Sequence, residues 1–226
     1  MLKFKAYLQE GVDDPAIFKA IFLAGGPGSG KSFIVGKTGL TSMGYKVVNS
    51  DDAFETAMRK AGLAMTPDNI FSPEGQKLRG GAKNLTGKKQ EAYIKGRLGL
   101  VIDGTGKDPN KILKQAKILR DIGYDTAMIF VNTDLDTALE RNRMRERSLP
   151  DKEVEKYWKD VQKNVGRFQQ MFGKEKFLVV DNSKGKDYNK ETLRSYKDAR
   201  KFTTKPPENK LAKKWIEQER AKKVRK

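Results

Sequence analysis

Apolar positions along this chain gather into short unbroken runs separated by stretches with a helical period. The runs are Ala20-Ile21-Phe22-Leu23-Ala24, Tyr45-Lys46-Val47-Val48-Asn49, Leu98-Gly99-Leu100-Val101-Ile102-Asp103, Thr126 to Val131, and Phe177-Leu178-Val179-Val180. Continuous apolar runs of this length read as strands of a parallel sheet covered on both faces. Between them, Ile112, Leu113, Ala116 and Leu119 share one side of a helix over residues 110–122, which Gly123 closes. Val154, Trp158, Val161, Val165 and Phe168 mark a long helix over 152–172. Further helices are expected over 2–10, from the first glycine-rich turn to Thr41, over 53–62, around 88–95, and over 135–147 with Asp134 as N-cap. Residues 66–86, rich in Pro and Gly, show no clean period. Strands alternating with helices predict an α/β fold, with a doubly wound, mainly parallel sheet of five strands.

Length and composition narrow this picture. At 226 residues the chain has room for one domain with a substantial core. Cysteine and histidine are both absent. Thiolate chemistry is thereby excluded, and a general base has to be a carboxylate, or else a lysine or tyrosine. No apolar run has the length of a membrane span, and the start MLKFKAYLQEG has no leader pattern. The expectation is a cytoplasmic protein without membrane association.

The net charge is +18, and from Lys184 onward sixteen Lys or Arg face six Asp or Glu, so +10 lies in the last fifth. This divides the chain into a domain over 1–183 and a basic C-terminal extension over 184–226. The extension reads either as a solvated tail or as a contact for nucleic acid, since Tyr188, Tyr196, Phe202 and Trp215 interleave its charges and could pack on the core or stack on bases.

The chemistry begins directly after the first strand, where Gly25, Gly26, Pro27, Gly28, Ser29, Gly30, Lys31 and Ser32 spell GGPGSGKS. This matches G-x-x-x-x-G-K-[ST], in which glycines let backbone N–H groups converge on phosphate, the lysine reaches the β- and γ-phosphates, and the hydroxyl ligates Mg²⁺. ATP and Mg²⁺ are the expected cofactors.

In an open parallel sheet, ligands bind beyond the carboxyl ends of the strands. Three polar segments stand there. Asn49-Ser50-Asp51-Asp52 follows the second strand; Asp51 is the candidate base with Asp52 the alternative, and either carboxylate would equally serve as a helix N-cap. Asp103-Gly104-Thr105-Gly106-Lys107 follows the third, with Asp103 placed to order Mg²⁺ or an acceptor substrate. Arg141, Arg143, Arg145 and Arg147 lie in a helical lid over about 134–152, with Arg141 and Arg145 on one helical face and Arg143 and Arg147 on another. Arginine so placed neutralises the charge of a phosphoryl group in transfer. Asn182, just past the fifth strand, completes the nucleotide contacts.

The segment LVIDGTGKDPNKILKQAKILRDIGYDTAMIFV, Leu100 to Val131, resembles the central part of the zeta-toxin family of P-loop kinases. With GGPGSGKS and NSDDAF, the resemblance spans about residues 18–147, and NSDD also looks like the Asn-x-Asp-Asp stretch of polynucleotide 5′-kinases. Both families phosphorylate a hydroxyl with ATP and Mg²⁺. The resemblance implies ATP phosphates at Lys31 and Ser32, a base at Asp51, acceptor contacts at Asp103, Thr105 and Lys107, and phosphate contacts from the lid arginines. It departs from polynucleotide kinases at Phe54, where they carry an arginine, and from zeta toxins at Asp103 and Lys107, where glutamate and arginine are common. The expected function is a kinase for a hydroxyl of an anionic acceptor, either nucleic acid or a nucleotide-sugar. The alternative is a nucleic-acid-binding ATPase or assembly protein without an acceptor.

Overall fold

A computed structural model describes residues 11–145, 148–185 and 187–224. The helix expected over 2–10 lies outside them, as does Arg147. Strands β1 (Lys19–Ala24), β2 (Lys46–Val48), β3 (Leu100–Asp103), β4 (Asp125–Asn132) and β5 (Phe177–Asp181) form one sheet in the order β2-β3-β1-β4-β5. Every pairing is parallel, with Leu23 opposite Asp103 on one side and Ala24 opposite Phe130 on the other.

Alternation along β1 supplies both faces of the sheet. Ala20, Phe22 and Ala24 meet Leu100, Ile102, Met128 and Phe130 on one face, while Ile21 and Leu23 meet Val101, Ile129, Val131 and Val180 on the other. Helix α1 (Lys31–Lys37) covers the second face through Ile34, and the first face is covered by α5 (Pro109–Asp121), α7 (Asp151–Lys163) and α8 (Val165–Phe172). Full burial of a side chain such as Phe22 or Ile21 stabilises the fold by about 1.5–3 kcal/mol.

The basic C-terminal segment contributes to both faces. It forms α9 (Tyr188–Thr204), whose Ala199 enters the Ile21 side, and α10 (Lys210–Val224), whose Ala212 and Ile216 enter the Phe22 side. Trp215 meets the Phe18 ring edge-on, with centroids 5.5 Å apart, so this aromatic is used in packing. A buried ion pair secures the arrangement: Lys19 Nζ donates to Asp125 Oδ2 at 2.9 Å, and the same carboxylate accepts the backbone N–H groups of Glu208 and Asn209.

The segment without a clean period is helical. After α2 (Asp51–Lys60), Pro67 and Pro73 open α3 (Pro67–Phe71) and α4 (Pro73–Lys95), with Thr66 and Ser72 as their N-caps. These helices share a small core of their own, Phe54, Met58, Ile70 and Ala82. Four glycines within α4 mask its helical character, and at Gly75 the reason is steric: a Cβ there would stand 2.0 Å from the Asn69 carbonyl oxygen.

Two helices end earlier than their sequence suggests. The long helix over 152–172 breaks at Asn164, whose Nδ2 donates to the carbonyls of Gly106 and Lys107. The helix expected to run to Arg147 is α6 (Leu135–Arg143). There the buried Asn142 side chain donates to the Leu149 carbonyl at 2.7 Å and accepts its N–H at 3.0 Å, turning the chain toward α7.

Candidate functional site

From β1 the chain crosses to β2 on one side, and from β4 it goes on to β5 on the other, so the switch point lies beside β1, whose carboxyl end stands between those of β3 and β4. Residues 25–30 occupy that end. Gly28 and Gly30 hold positive φ angles of 75° and 86°, which glycine adopts without strain. Both positions are also closely packed: a Cβ at Gly28 would stand 2.2 Å from the Ala138 carbonyl oxygen in α6, and one at Gly30 would stand 2.3 Å from Asn182 Nδ2. The glycines therefore admit neighbouring elements as well as shaping the turn. Asn182 Nδ2 donates to the Ser29 carbonyl at 2.8 Å, and the Gly25 N–H donates to the Thr105 carbonyl at 3.1 Å. Pro27 lies within the same turn, and Trp158 of α7 underlies Gly26 while its indole N–H donates to the Thr133 carbonyl.

Lys31 opens α1 and turns its ammonium back into the loop, donating to the carbonyls of Gly25 at 2.7 Å and Gly26 at 3.3 Å. Burial holds its pKa below the ordinary 10.5; Asp103 and Asp51 pull it up, and Arg145 pushes it down. Charges from three other segments thus act on Lys31 at the loop. Ser32 follows with its side chain exposed.

Asp103 is the last residue of β3 and is half-buried. Burial raises its pKa, Lys31 opposes that, and Asp51 and Asp52 add to it. Its Oδ2 accepts from Asn49 Nδ2 at 3.1 Å, whereas its buried Oδ1 meets no hydrogen-bond donor among the described residues. A buried carboxylate oxygen without a donor suits a cation, and the Ser32 hydroxyl is a second oxygen of the kind Mg²⁺ takes beside phosphate. Among the described residues no group of three or more acidic side chains could hold a metal alone, so phosphate and water oxygens would have to complete its coordination.

Asp51 and Asp52 are exposed in the first turn of α2, where their charge complements the helix dipole; the N-cap itself is Ser50, without a side-chain cap bond. Asn49 Oδ1 accepts the Asp51 N–H at 2.8 Å. Its side chain therefore ties the second strand end to the third. Asn49 carries a part that sequence reasoning missed, because its partner Asp103 is 54 residues away.

Thr105 is exposed, and Lys107 holds its ammonium 4.5 Å from the centre of the Tyr157 ring. The arginines separate. Arg141 donates to the Asn182 carbonyl at 2.9 Å and lies beside Gly30, and the charge of Arg145 is felt at Lys31. Arg143 instead pairs with Asp151 on the exposed side of α6, its Nε 3.2 Å from Oδ2. A further cation comes from α4: the Arg79 guanidinium lies 4.9 Å from the centre of the Phe54 ring, one turn along α2 from Asp51. No local motif could have revealed it.

Among the described residues no helix is long and apolar enough to cross a membrane. No curated protein matches this chain. Solved structures with a similar fold include a candidate kinase from Chloroflexus aurantiacus, with 13% identity over 80% of this chain and 97% of that one at a TM-score of 0.53. Another is the PezAT toxin–antitoxin system of Streptococcus pneumoniae, with 14% identity over 81% and 86% at a TM-score of 0.53. A third is the Pnkp1/Rnl/Hen1 RNA repair complex, with 20% identity over 66% of this chain at a TM-score of 0.51; here the match spans only 46% of the other chain. These likenesses establish a shared P-loop kinase fold. The sequence profile of the AAA domain matches residues 21–167, from β1 into α8, and on that match the chain belongs to the AAA domain family.

Proposed function

We propose that this protein is an ATP- and Mg²⁺-dependent kinase that transfers the γ-phosphoryl group to a hydroxyl of an anionic acceptor. The observation that carries the reading is the glycine loop with Lys31 turned back onto the Gly25 and Gly26 carbonyls, beside a strand end where the buried Asp103 Oδ1 meets no donor among the described residues. Lys31 and the N–H groups of residues 25–32 would grip the triphosphate. Ser32 and Asp103 would hold Mg²⁺, which would supply positive charge against the charge developing on the phosphates. Asp51, exposed beside this centre, would accept the acceptor hydroxyl's proton as the new O–P bond forms and the bond to the β-phosphate oxygen breaks. Arg141 and Arg145 would neutralise charge on the transferred group, with Asn182 fixing Arg141 against the loop. Arg79, Asp52, Thr105 and Lys107 would contact the acceptor.

The net charge of +18 favours nucleic acid over a nucleotide-sugar as acceptor, and α4 adds six Lys or Arg against two Glu beside α2. The test is transfer of labelled γ-phosphate from ATP to 5′-hydroxyl DNA, 5′-hydroxyl RNA and a UDP-sugar. Label on an oligonucleotide is expected, with Asp51→Asn reducing transfer on the order of 10²- to 10⁴-fold while ATP still binds. Nucleic-acid-stimulated release of phosphate to water, with every acceptor unlabelled, would overturn the kinase reading in favour of an ATPase.

A further inference from the structure

A second charged cavity lies at the opposite end of the sheet. It is about 300 Å³ in volume and opens where β1, β4 and β5 begin, with Lys19, Asp125 and Phe177 among its lining residues. Measured along β1, it stands about 17 Å from the glycine loop, five residues at the rise of a strand. The volume is at the lower end of those that hold small organic ligands.

Its charges do not cancel. Lys19 is matched to Asp125 and Lys176 to Glu208, at 2.9 Å and 2.7 Å. That leaves Lys174, Arg194, Lys201 and Lys205 against Glu175 and Asp198, and none of these four cations comes within ion-pair distance of a carboxylate among the described residues. Arg194 and Lys201 lie seven residues apart on α9, which puts them on one face of the helix, and Lys205 follows as its C-cap beside the same cavity. Cations gathered this way repel one another and weaken the free protein, unless an anion joins them. Phe177, Leu178, Val179 and Phe202 supply an apolar part of an otherwise charged lining. An apolar patch beside surplus cations suits a compact molecule with one carbon-rich part and one strongly anionic part.

We propose that this cavity binds a small organic phosphate, its phosphoryl group held by Arg194, Lys201 and Lys205 and its carbon skeleton lying on Phe177 and Phe202. The site is separate from the strand-end crevice and shares no residue with it. A short stretch of chain separates the two: α9 begins five residues after Ser183, whose hydroxyl accepts the Asp134 N–H at the start of α6.

Pyridoxal 5′-phosphate is a direct probe, because its phosphate seeks such a site and its aldehyde condenses with a neighbouring lysine amine, releasing water; borohydride then adds hydride to the imine carbon and fixes the adduct. Mapped by peptide mass spectrometry at substoichiometric probe, the adduct is expected on Lys174, Lys201 or Lys205, and ribose 5-phosphate in millimolar excess should suppress it. Arg194→Glu should weaken labelling there at least tenfold while the thermal melt stays within a few degrees of wild type. Labelling spread evenly over exposed lysines such as Lys213 and Lys222, or labelling that ribose 5-phosphate or Arg194→Glu leaves unchanged, would overturn the proposal. Reading the adduct by position keeps the outcome independent of the kinase reading, since any adduct at Lys31 is counted separately.

Discussion

Asn49 Nδ2 donates to Asp103 Oδ2 at 3.1 Å, joining the ends of two strands that pair side by side in the sheet. Because Asn49 Oδ1 also receives the Asp51 N–H, one amide sets the positions of the proposed base and the proposed metal carboxylate relative to each other. Replacing it with alanine should lower phosphoryl transfer on the order of 10- to 100-fold, the usual loss when the partner of a metal-binding carboxylate is removed. The Mg²⁺ concentration for half-maximal rate should rise in step. An unchanged Mg²⁺ dependence would confine Asn49 to holding the start of α2.

The ionisation of Asp103 should be visible in stability. Burial raises its folded-state pKa above the ordinary 3.8, so between those two values the folded protein binds more protons than the unfolded one. Stability from this group therefore falls as pH rises through that window. Urea midpoints measured from pH 4 upward should show the slope, and Asp103→Asn should flatten it. Lys31 acts in the opposite direction at high pH: its lowered pKa makes stability rise as pH passes from the folded value toward 10.5.

Gly28→Ala meets two obstacles at once. A φ of 75° strains any residue with a Cβ by about 1–2 kcal/mol, and the Ala138 carbonyl leaves no room for it. A loss of at least about 2 kcal/mol in urea unfolding is expected. Gly36, where an added Cβ would meet nothing within 4 Å, is the control; Gly36→Ala should hold or raise stability.

Asp125 binds Lys19, Glu208 and Asn209 together, and removing one partner of a buried pair costs about 3–5 kcal/mol. Asp125→Ala should show that loss, and it should free the turn before α10 so that Trp215 fluorescence shifts to the red. Lys19→Met combined with Asp125→Ala should recover part of the stability but leave the turn without its acceptor.

What sequence alone could show was whatever depends on near neighbours. Apolar runs such as 20–24 and 126–131 declare strands because every residue in them is buried, and Asp134 caps α6 through the Thr137 N–H three residues on. GGPGSGKS announces its chemistry in eight consecutive positions. The features that escaped depend on partners far along the chain. The helix over 152–172 reads as unbroken until Asn164 is seen to reach the Gly106 and Lys107 carbonyls, and α6 ends early because Asn142 binds Leu149 across the turn. Arg79 and Phe54 are 25 residues apart and meet only once α2 and α4 pack. Charge was a poor guide to architecture in the last fifth, since α9 and α10 keep their lysines on the outside while Ala199, Ala212 and Ile216 enter the core.

The central place of β1 has a consequence for how the protein comes into being. Its pairing partners lie 80 and 106 residues further on, with Ala20 opposite Leu100 and Thr126, so β1 must wait for both. Such distant pairing makes for slow folding. The glycine loop waits longer still, because its turn rests on Thr105, on Ala138 and finally on Asn182. A nascent chain that stops short of Asn182 carries the phosphate motif in full but lacks the framework that shapes it, and affinity for nucleotide should arise abruptly once Asn182 is in place.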